Sequence, residues 1–429
     1  MLLLLMHFTF VATLSPELRL RNDLMHNYNP LERPVERSDD PVVVTLGVIF
    51  QQIIDLNERQ EKLEINAWLK YNWKDTKLRW DPLEYENITD LRHPAGTIWQ
   101  PDILLYNSVD SAFDSTFKVN AISYNDGSIT WIPPGIFKIS CKIDIYWFPF
   151  DEQICFLKFG SWSFSGREID LQPGNFDMSD FIENGEWIVI KTWEQRNEKF
   201  YECCPEPYPD VRFFIHLKRR TLYYAFNLIM PCMMTLILII LGFTLSPDTC
   251  EKIGLQISVS LAICIFLTLM NEMTPLTSEA VPLLGIFFLS CMVISVAATS
   301  FTVYVQAVHF RNPDTQMRMN FWEDGHTRVI QKIGDALREK FQGLISQLKI
   351  IQYGKHDQHL LQRLKILDRI HKHVKDIRQK TDDIIEEKRI ANEWRFAAMV
   401  VDRIGLTIFS VVIAITSLTI ALRAPYLVA

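Results

Sequence analysis

The sequence predicts a multi-domain membrane protein: an extracellular antiparallel β-sandwich, a bundle of four transmembrane helices, and a cytoplasmic amphipathic helix leading into the last of them. Three observations carry this prediction. Short β-rich runs separated by turn signals fill residues 16–220, four long apolar stretches follow, and the formal charge of −7 is divided unevenly along the 429 residues. With 16 Gly, 8 Cys and 12% aromatic residues, collagen-like, disulfide-dense and disordered classes are excluded.

Residues 1–15 open with MLLLLMHFTFVATL, an apolar run too short to span a bilayer and followed by a small residue, which reads as a signal peptide even without a basic start. Residues 16–220 then form the external domain. A helical start near 16–28 gives way to runs such as VVVTLGVIF, AISYNDGSITWI and RFFIHLK, punctuated by Asn125-Asp126-Gly127 and Pro133-Pro134-Gly135. Alternating runs of this length between turn residues predict a β-sandwich. Asn87-Ile88-Thr89 is a glycosylation sequon suited to an extracellular loop.

Four of the eight cysteines lie in this domain, in the compartment where disulfides persist. Cys141 and Cys155 enclose 13 residues, and closing such a ring is worth roughly 3 kcal/mol in the chain-entropy model. The enclosed Phe148-Pro149-Phe150 raises the chance of a cis peptide. Cys203 and Cys204 are adjacent, and a bridge between neighbours is strained, labile and suited to a functional loop tip. Cys232, Cys250, Cys264 and Cys291 fall in or beside apolar stretches and read as small hydrophobes.

Residues 222–245 and 281–305 carry no charge over lengths that cross a bilayer as helix. Residues 396–421 match them except for Asp402 and Arg403 near one end, where a long side chain can snorkel to the interface. The stretch 252–271 is interrupted by Gln256, Ser258, Ser260 and Thr268, as expected of a helix with water on one side and protein on the other. Residues 309–395 hold 18 basic and 13 acidic residues, which marks a cytoplasmic loop, with an amphipathic helix expected over about 356–395 from the stripe Leu360, Leu364, Leu367, Val374, Ile377 and Ile384. The N-terminus and the tail 422–429 are then extracellular. Residues before 221 hold 23 basic and 33 acidic residues, so the acidic balance is external.

Several segments in order resemble one family: the Cys141–Cys155 ring around FPFD, the vicinal pair within YECCPEPYPD, GSWSFSG at 160–166, WQPDILLYNS at 99–108, and EKIGLQISVSLAICIFLTLMNEMTP at 251–275. Together they are similar to a nicotinic acetylcholine receptor subunit of the α type, from the pentameric Cys-loop ligand-gated ion channels. The resemblance covers about 16–312 and resumes at about 355–421. The vicinal cysteines, the short cytoplasmic region and NEMTPLTSEAVPLLG look most like invertebrate, nematode members, one branch of which responds to betaine. The implied location is the plasma membrane of a synapse or neuromuscular junction.

A quaternary ammonium has no N–H to donate, so aromatic faces must hold it, each contact contributing roughly 0.5–2 kcal/mol. The resemblance implies a principal face of Tyr106, Trp162, Tyr201 and Tyr208 beside Cys203 and Cys204, and a complementary face of Trp68 with Thr130 and Ile132. A tryptophan on a strand is ordinarily core, and Trp73, Trp80 and Trp99 read as packing residues. The implied agonist is acetylcholine, with choline or betaine as alternatives. Both faces in one chain make a homopentamer chemically feasible, with a heteropentamer of related subunits the other arrangement.

A pore-lining helix must repeat small or polar residues at spacings of three and four. From Glu251 that stripe is Gly254, Ser258, Leu261, Ile265, Thr268 or Leu269, and Glu272. Carboxylate rings at both ends favour cations, Na+, K+ and Ca2+ being the candidates, and Leu261 with Ile265 forms a constriction that closes by dewetting. Anion-selective relatives carry a Pro-Ala-Arg type insertion ahead of this helix, which Ser246-Pro247-Asp248-Thr249-Cys250-Glu251 lacks. Gly254 departs from the family's usual Ser or Thr. For coupling, the resemblance implies Glu58 paired with Arg219, the Phe148-Pro149-Phe150 loop, and the 273–282 link containing Pro275 and Pro282. Lipid surrounds the spans. The sequence offers no nucleophile with its base, no metal-ligand spacing and no phosphate loop, so no metal, cofactor, enzymatic activity or nucleic-acid partner is expected. A membrane-tethered binding subunit with inert spans is the competing reading, and the polar stripe speaks against it.

Overall fold

Burial alternates residue by residue along 62–74 and, with interruptions at two bulges, along 42–57, which builds two long strands with one face in the core. The computed structural model describes residues 15–113, 115–202, 204–247, 251–275, 280–311 and 358–423. The readings placed on residues 1–14, Cys203, 248–250, 276–279 and the stretch 312–357 therefore lie outside the described residues, as do those on the tail beyond Arg423. Two units divide the chain: the β-rich region with helical residues up to 234, 263–290 and from 416, and a helical unit of 235–262 with 291–415.

In the first unit, α1 (Pro16–Met25) is capped by Ser15, whose Oγ accepts from the backbone N–H of Leu18 at 3.3 Å. Ser15 is thus the start of a structural element, although the sequence placed it at the end of the leader. The seven-stranded sheet contains β1 (Val42–Asn57), β2 (Lys62–Lys74), β3 (Asp90–His93), β5 (Ala121–Tyr124), β6 (Ser128–Trp131), β7 (Pro134–Ser140) and β9 (Ile169–Asp177). The four-stranded sheet contains β4 (Ile103–Leu105), β8 (Glu152–Ser161), β10 (Trp187–Tyr201) and β11 (Cys204–Arg219). Among the described residues the named strands pair antiparallel except β1 with β9, which run parallel because the chain returns to the first sheet by a crossover from β8 rather than by a hairpin. The predicted turn at Asn125-Asp126-Gly127 joins β5 to β6. Gly127 has φ +86°, and a Cβ there would meet the Asp75 carbonyl at 2.6 Å, so only glycine fits. Pro133-Pro134-Gly135 is not a turn tip: β7 begins at Pro134 and pairs with β2. A proline at the first position of a strand removes no needed donor.

The inner faces form one core, with Val44, Leu46, Phe50, Ile65, Phe159 and Phe213 fully enclosed. Trp73, Trp80 and Trp99 are buried in packing positions. Cys141 and Cys155 are joined by a disulfide, and the Phe148–Pro149 peptide is cis. Asn87 is exposed at a left-handed position of φ 65° following the short 3-10 turn Pro82–Tyr85.

The helices are α2 (Leu222–Gly242), α3 (Glu251–Met273), α4 (Leu283–His309) and α5 (Gln358–Arg423). Each holds a stretch long and apolar enough to cross a membrane. A π-helical turn at Ala225–Ile229 precedes Pro231. Proline lacks an N–H and its ring crowds the carbonyl four residues back, so a locally widened turn accommodates it. The expected cytoplasmic helix and last span are one continuous helix. Along it Leu367, Val374, Ile377 and Ile384 are all exposed in the single chain.

Within the second unit, Phe243 stacks on Phe409 at 5.2 Å, and Ser260 and Ser295 share a 2.7 Å hydrogen bond. Asp402 departs from the snorkelling expected of it. It is buried, and its Oδ1 accepts from Lys252 Nζ at 2.5 Å, whereas Arg403 is exposed. Cys232 and Cys291 are buried and Cys264 is half-buried, in the apolar setting their sequence neighbours indicate.

Candidate functional site

The four-stranded sheet brings four aromatic side chains into two ring pairs. Tyr106 follows β4 and Trp162 follows β8, and their rings meet edge-on at 6.2 Å. Tyr201 and Tyr208 stand at the far end of the β10–β11 hairpin, edge-on at 5.7 Å. Trp162 is 69% exposed although it is the largest side chain type, so its face is presented rather than packed. Asp102 holds it there: the Asp102 carbonyl accepts from the Trp162 N–H at 3.2 Å, and the carboxylate accepts from Ser161 Oγ at 2.5 Å and the Ser163 N–H at 2.7 Å. The Tyr106 hydroxyl donates to the Ser161 carbonyl. Gly160 allows this contact, since a Cβ there would lie 2.6 Å from the Tyr106 ring.

Charge around these rings is arranged and not random. Lys158 Nζ lies 5.3 Å from the centre of the Tyr106 ring and 3.5 Å from Asp210, a buried carboxylate two residues beyond Tyr208. Burial, then the neighbouring Tyr201 and Asp102, pushes the Tyr106 phenol up to about 12, so the hydroxyl stays a neutral donor. Lys199 Nζ sits 4.9 Å over the Tyr201 ring. Such a group of electron-rich faces can take a cation that lacks donors of its own.

Trp68 lies elsewhere, on β2 of the seven-stranded sheet, half-exposed over a shallow groove lined by Ile49, Val119, Ile132 and Pro134. Thr130 is also on that sheet, its Oγ1 donating to Asn72 at 2.9 Å. Among the described residues no ring contact joins Trp68 to the Tyr106–Trp162 pair, so one chain carries two part-sites on different sheets. Cys203 lies outside the described residues; Cys204 opens β11 opposite Tyr201. Asp102, Lys158 and Asp210 were not singled out from the sequence. A readable signal for Asp210 was its place beside Val211, at the point where the alternating apolar run of β11 begins.

At the other end of the sandwich Arg219 is fully enclosed. Its Nε and Nη2 donate to both oxygens of Asp151 at 2.7 and 3.0 Å, and Nη1 reaches Glu186 at 3.1 Å as well as Glu58. Its plane lies 4.2 Å from the Trp187 ring centre and 5.0 Å from that of Phe148. Burial alone would lower its pKa, but the hydrogen bonds and charge of Asp151 raise it, so the guanidinium is permanently charged. Burial pushes the Glu58 carboxyl up, against the pull of Arg219. The expected Glu58–Arg219 pair is thus part of a network whose two-pronged partner is Asp151. That aspartate closes the FPFD segment and was legible only as part of it. Pro149 is buried and Phe150 half-buried, while Pro275 and Pro282 are both buried. The Leu283 N–H at the start of α4 donates to the Tyr146 carbonyl inside the disulfide ring at 2.9 Å, a direct link from loop to helix.

On α3 Glu251, Gly254, Ser258, Leu261, Ile265, Thr268, Leu269 and Glu272 are all exposed, and Lys252, Gln256, Val259 and Ile263 are buried on the opposite face. Ser258 and Thr268 donate their hydroxyls to the carbonyls four residues back, at 2.8 and 3.0 Å, leaving oxygen lone pairs outward. A face of this kind can line water. A Cβ at Gly254 would meet no neighbour within 4 Å among the described residues.

Comparison with known proteins agrees with this arrangement. Residues 17–221 match the neurotransmitter-gated ion-channel ligand binding domain, and residues 228–340 match the neurotransmitter-gated ion-channel transmembrane region. The chain is 53% identical to acetylcholine receptor subunit alpha-type acr-15 of Caenorhabditis elegans, over 99% of both chains. It is 46% identical to subunit alpha-type acr-16 of the same nematode over 96% of each. Subunit alpha-L1 of the locust Schistocerca gregaria is 44% identical, over 69% of this chain and 55% of its own. With four helices able to cross a membrane, the protein is multi-pass, resides in the plasma membrane and is a channel component, not an enzyme. The chain belongs to the neurotransmitter-gated, Cys-loop ion-channel family, among the α-type acetylcholine receptor subunits.

Proposed function

We propose that the chain forms a cation-selective channel, as a homo- or heteropentamer, opened by a quaternary ammonium bound where the Tyr106–Trp162–Tyr201–Tyr208 face of one subunit meets the Trp68 face of the next. The carrying observation is the separation of these part-sites onto the two sheets of one chain, with the Trp162 ring largely exposed. Acetylcholine is the first agonist to expect, since the relatives quoted above are acetylcholine receptor subunits by name. Betaine is the second reading, favoured by the Lys199 ammonium over the Tyr201 ring, which could meet a carboxylate. Na+, K+ and Ca2+ pass along the α3 face between rings of Glu251 and Glu272, with the synaptic or neuromuscular membrane as the setting. Support for selectivity comes from the exposure of both carboxylates on that face. The vicinal Cys203–Cys204 bridge stiffens the capture loop, and Asn87 carries a glycan.

The chain expressed alone in oocytes should give inward currents to acetylcholine at lower concentration than to choline or betaine. A lower threshold for betaine would select the second reading, and silence to all three with surface protein present would overturn the homomeric form.

A further inference from the structure

Consecutive residues on a helix point about 100° apart, and at the start of α3 this sends two opposite charges to different places. Glu251 is exposed, whereas Lys252 is fully buried with its ammonium 2.5 Å from Asp402 Oδ1 and 5.7 Å from the Phe243 ring centre. All four residues belong to the same helical unit. A buried ammonium requires a carboxylate partner, and among the described residues Asp402 supplies it. Asp402 comes from α5, distant in sequence, on a helix whose neighbouring outward residues Arg403, Ile404 and Thr407 are exposed.

We propose that Asp402 is a positioning residue for ion selection: by holding Lys252 inside the helical unit, it keeps a positive charge from neutralising the Glu251 ring. This rests on the reading of Glu251 as a cation-selecting ring. Without the Asp402 charge, Lys252 is an uncompensated buried cation on a flexible four-carbon stem. Its available relief is to swing to water, and Glu251, its neighbour in sequence, is exposed. A lysine turned to that side adds a positive charge beside its own subunit's Glu251 carboxylate, at a range where salt screens little, so the attraction for permeant cations falls.

The test uses the full chain in oocytes, with surface labelling, single-channel recording and reversal potentials in diluted NaCl. Asp402→Asn is expected to lower inward single-channel conductance about twofold or more and to move the reversal potential toward a less selective pore. Asp402→Glu should keep both values. Combining Asp402→Asn with Lys252→Met should restore single-channel conductance by removing the freed cation, whereas a merely structural ion pair would lower surface labelling in Asp402→Asn and leave the conductance of each open channel unchanged. If Asp402→Asn fails to reach the surface, co-injection with the unsubstituted chain should give a ladder of reduced conductance levels. Normal conductance and selectivity in Asp402→Asn, beside a loss of both in Glu251→Gln, overturns the proposal and leaves the ring intact. Unchanged selectivity in Glu251→Gln would instead overturn the ring reading itself.

Discussion

At position 219 only a guanidinium satisfies its surroundings: two parallel bonds to Asp151, further carboxylates at Glu58 and Glu186, and flat faces at Trp187 and Phe148. Arg219→Gln leaves Asp151 buried without its counter-charge, and breaking such a pair costs about 3–5 kcal/mol. Agonist-evoked current should fall to near background. Arg219→Lys should recover only part of it, because a point charge cannot bridge both Asp151 oxygens; full current in either variant at equal surface labelling would refute the junction's importance. His93 makes a second prediction. It is buried on β3, its Nε2 2.8 Å from Ser123 Oγ, and burial with the nearby Arg21 lowers its pKa from 6.5 to about 4. The unfolded chain therefore takes up a proton that the fold refuses as pH falls below 6.5. Stability is fully present above that value and declines toward pH 4, with a loss of about 2 kcal/mol expected between pH 7.5 and 5. Thermal unfolding of the purified receptor should show a shallower acid decline in His93→Asn than in the parent. Equal slopes would show that His93 does not carry the effect.

Elements differ in how openly the sequence declares them. The strands β2 and β11 follow an alternation that any register must respect, and the exposed stripe of α3 from Glu251 to Glu272 is legible because its period matches the helix. What stayed hidden depends on residues far apart in sequence. Nothing local says that β1 and β9 run parallel, that Asp151 rather than Glu58 takes the two-pronged bond to Arg219, or that Asp402 turns inward toward Lys252. Equally hidden are Asp102, which bonds the Trp162 backbone, and the Lys158–Asp210 ion pair beside the Tyr106 ring. The helix α3 also carries an element-scale prediction. Leu261 and Ile265 are 61% and 52% exposed in the single chain, and in the proposed ring they would line the constriction. Leu261→Thr adds a hydroxyl that lets water persist there and so favours the open state. The agonist concentration for half-maximal current should fall by about tenfold, with a resting current that a pore blocker removes. An unchanged dose–response would place the constriction elsewhere on the helix.

For the whole molecule, the nearly balanced composition conceals a division by compartment. Residues before 221 carry 23 basic and 33 acidic side chains and the stretch 309–395 carries 18 and 13, so the ligand-binding region is the acidic part, a charge that would concentrate cations if the proposed channel is cation-selective. Assembly decides whether the two part-sites on different sheets become one. If the agonist site is shared, Trp162→Ala and Trp68→Ala each damage every interface of a homopentamer, and each alone should raise the half-maximal acetylcholine concentration at least about tenfold. Mixed in equal amounts, they give a different outcome. A subunit with an intact Trp162 beside one with an intact Trp68 forms an undamaged interface, which random arrangement provides at about a quarter of the positions. Any ring that contains both variants must hold at least one such neighbour pair, since going round the ring the type has to change in both senses. Co-expression should therefore restore a component of current at the parent's acetylcholine concentration, absent when either variant is expressed alone. If both aromatic faces served one subunit's own site, every site in the mixture would remain damaged and no sensitive component would appear.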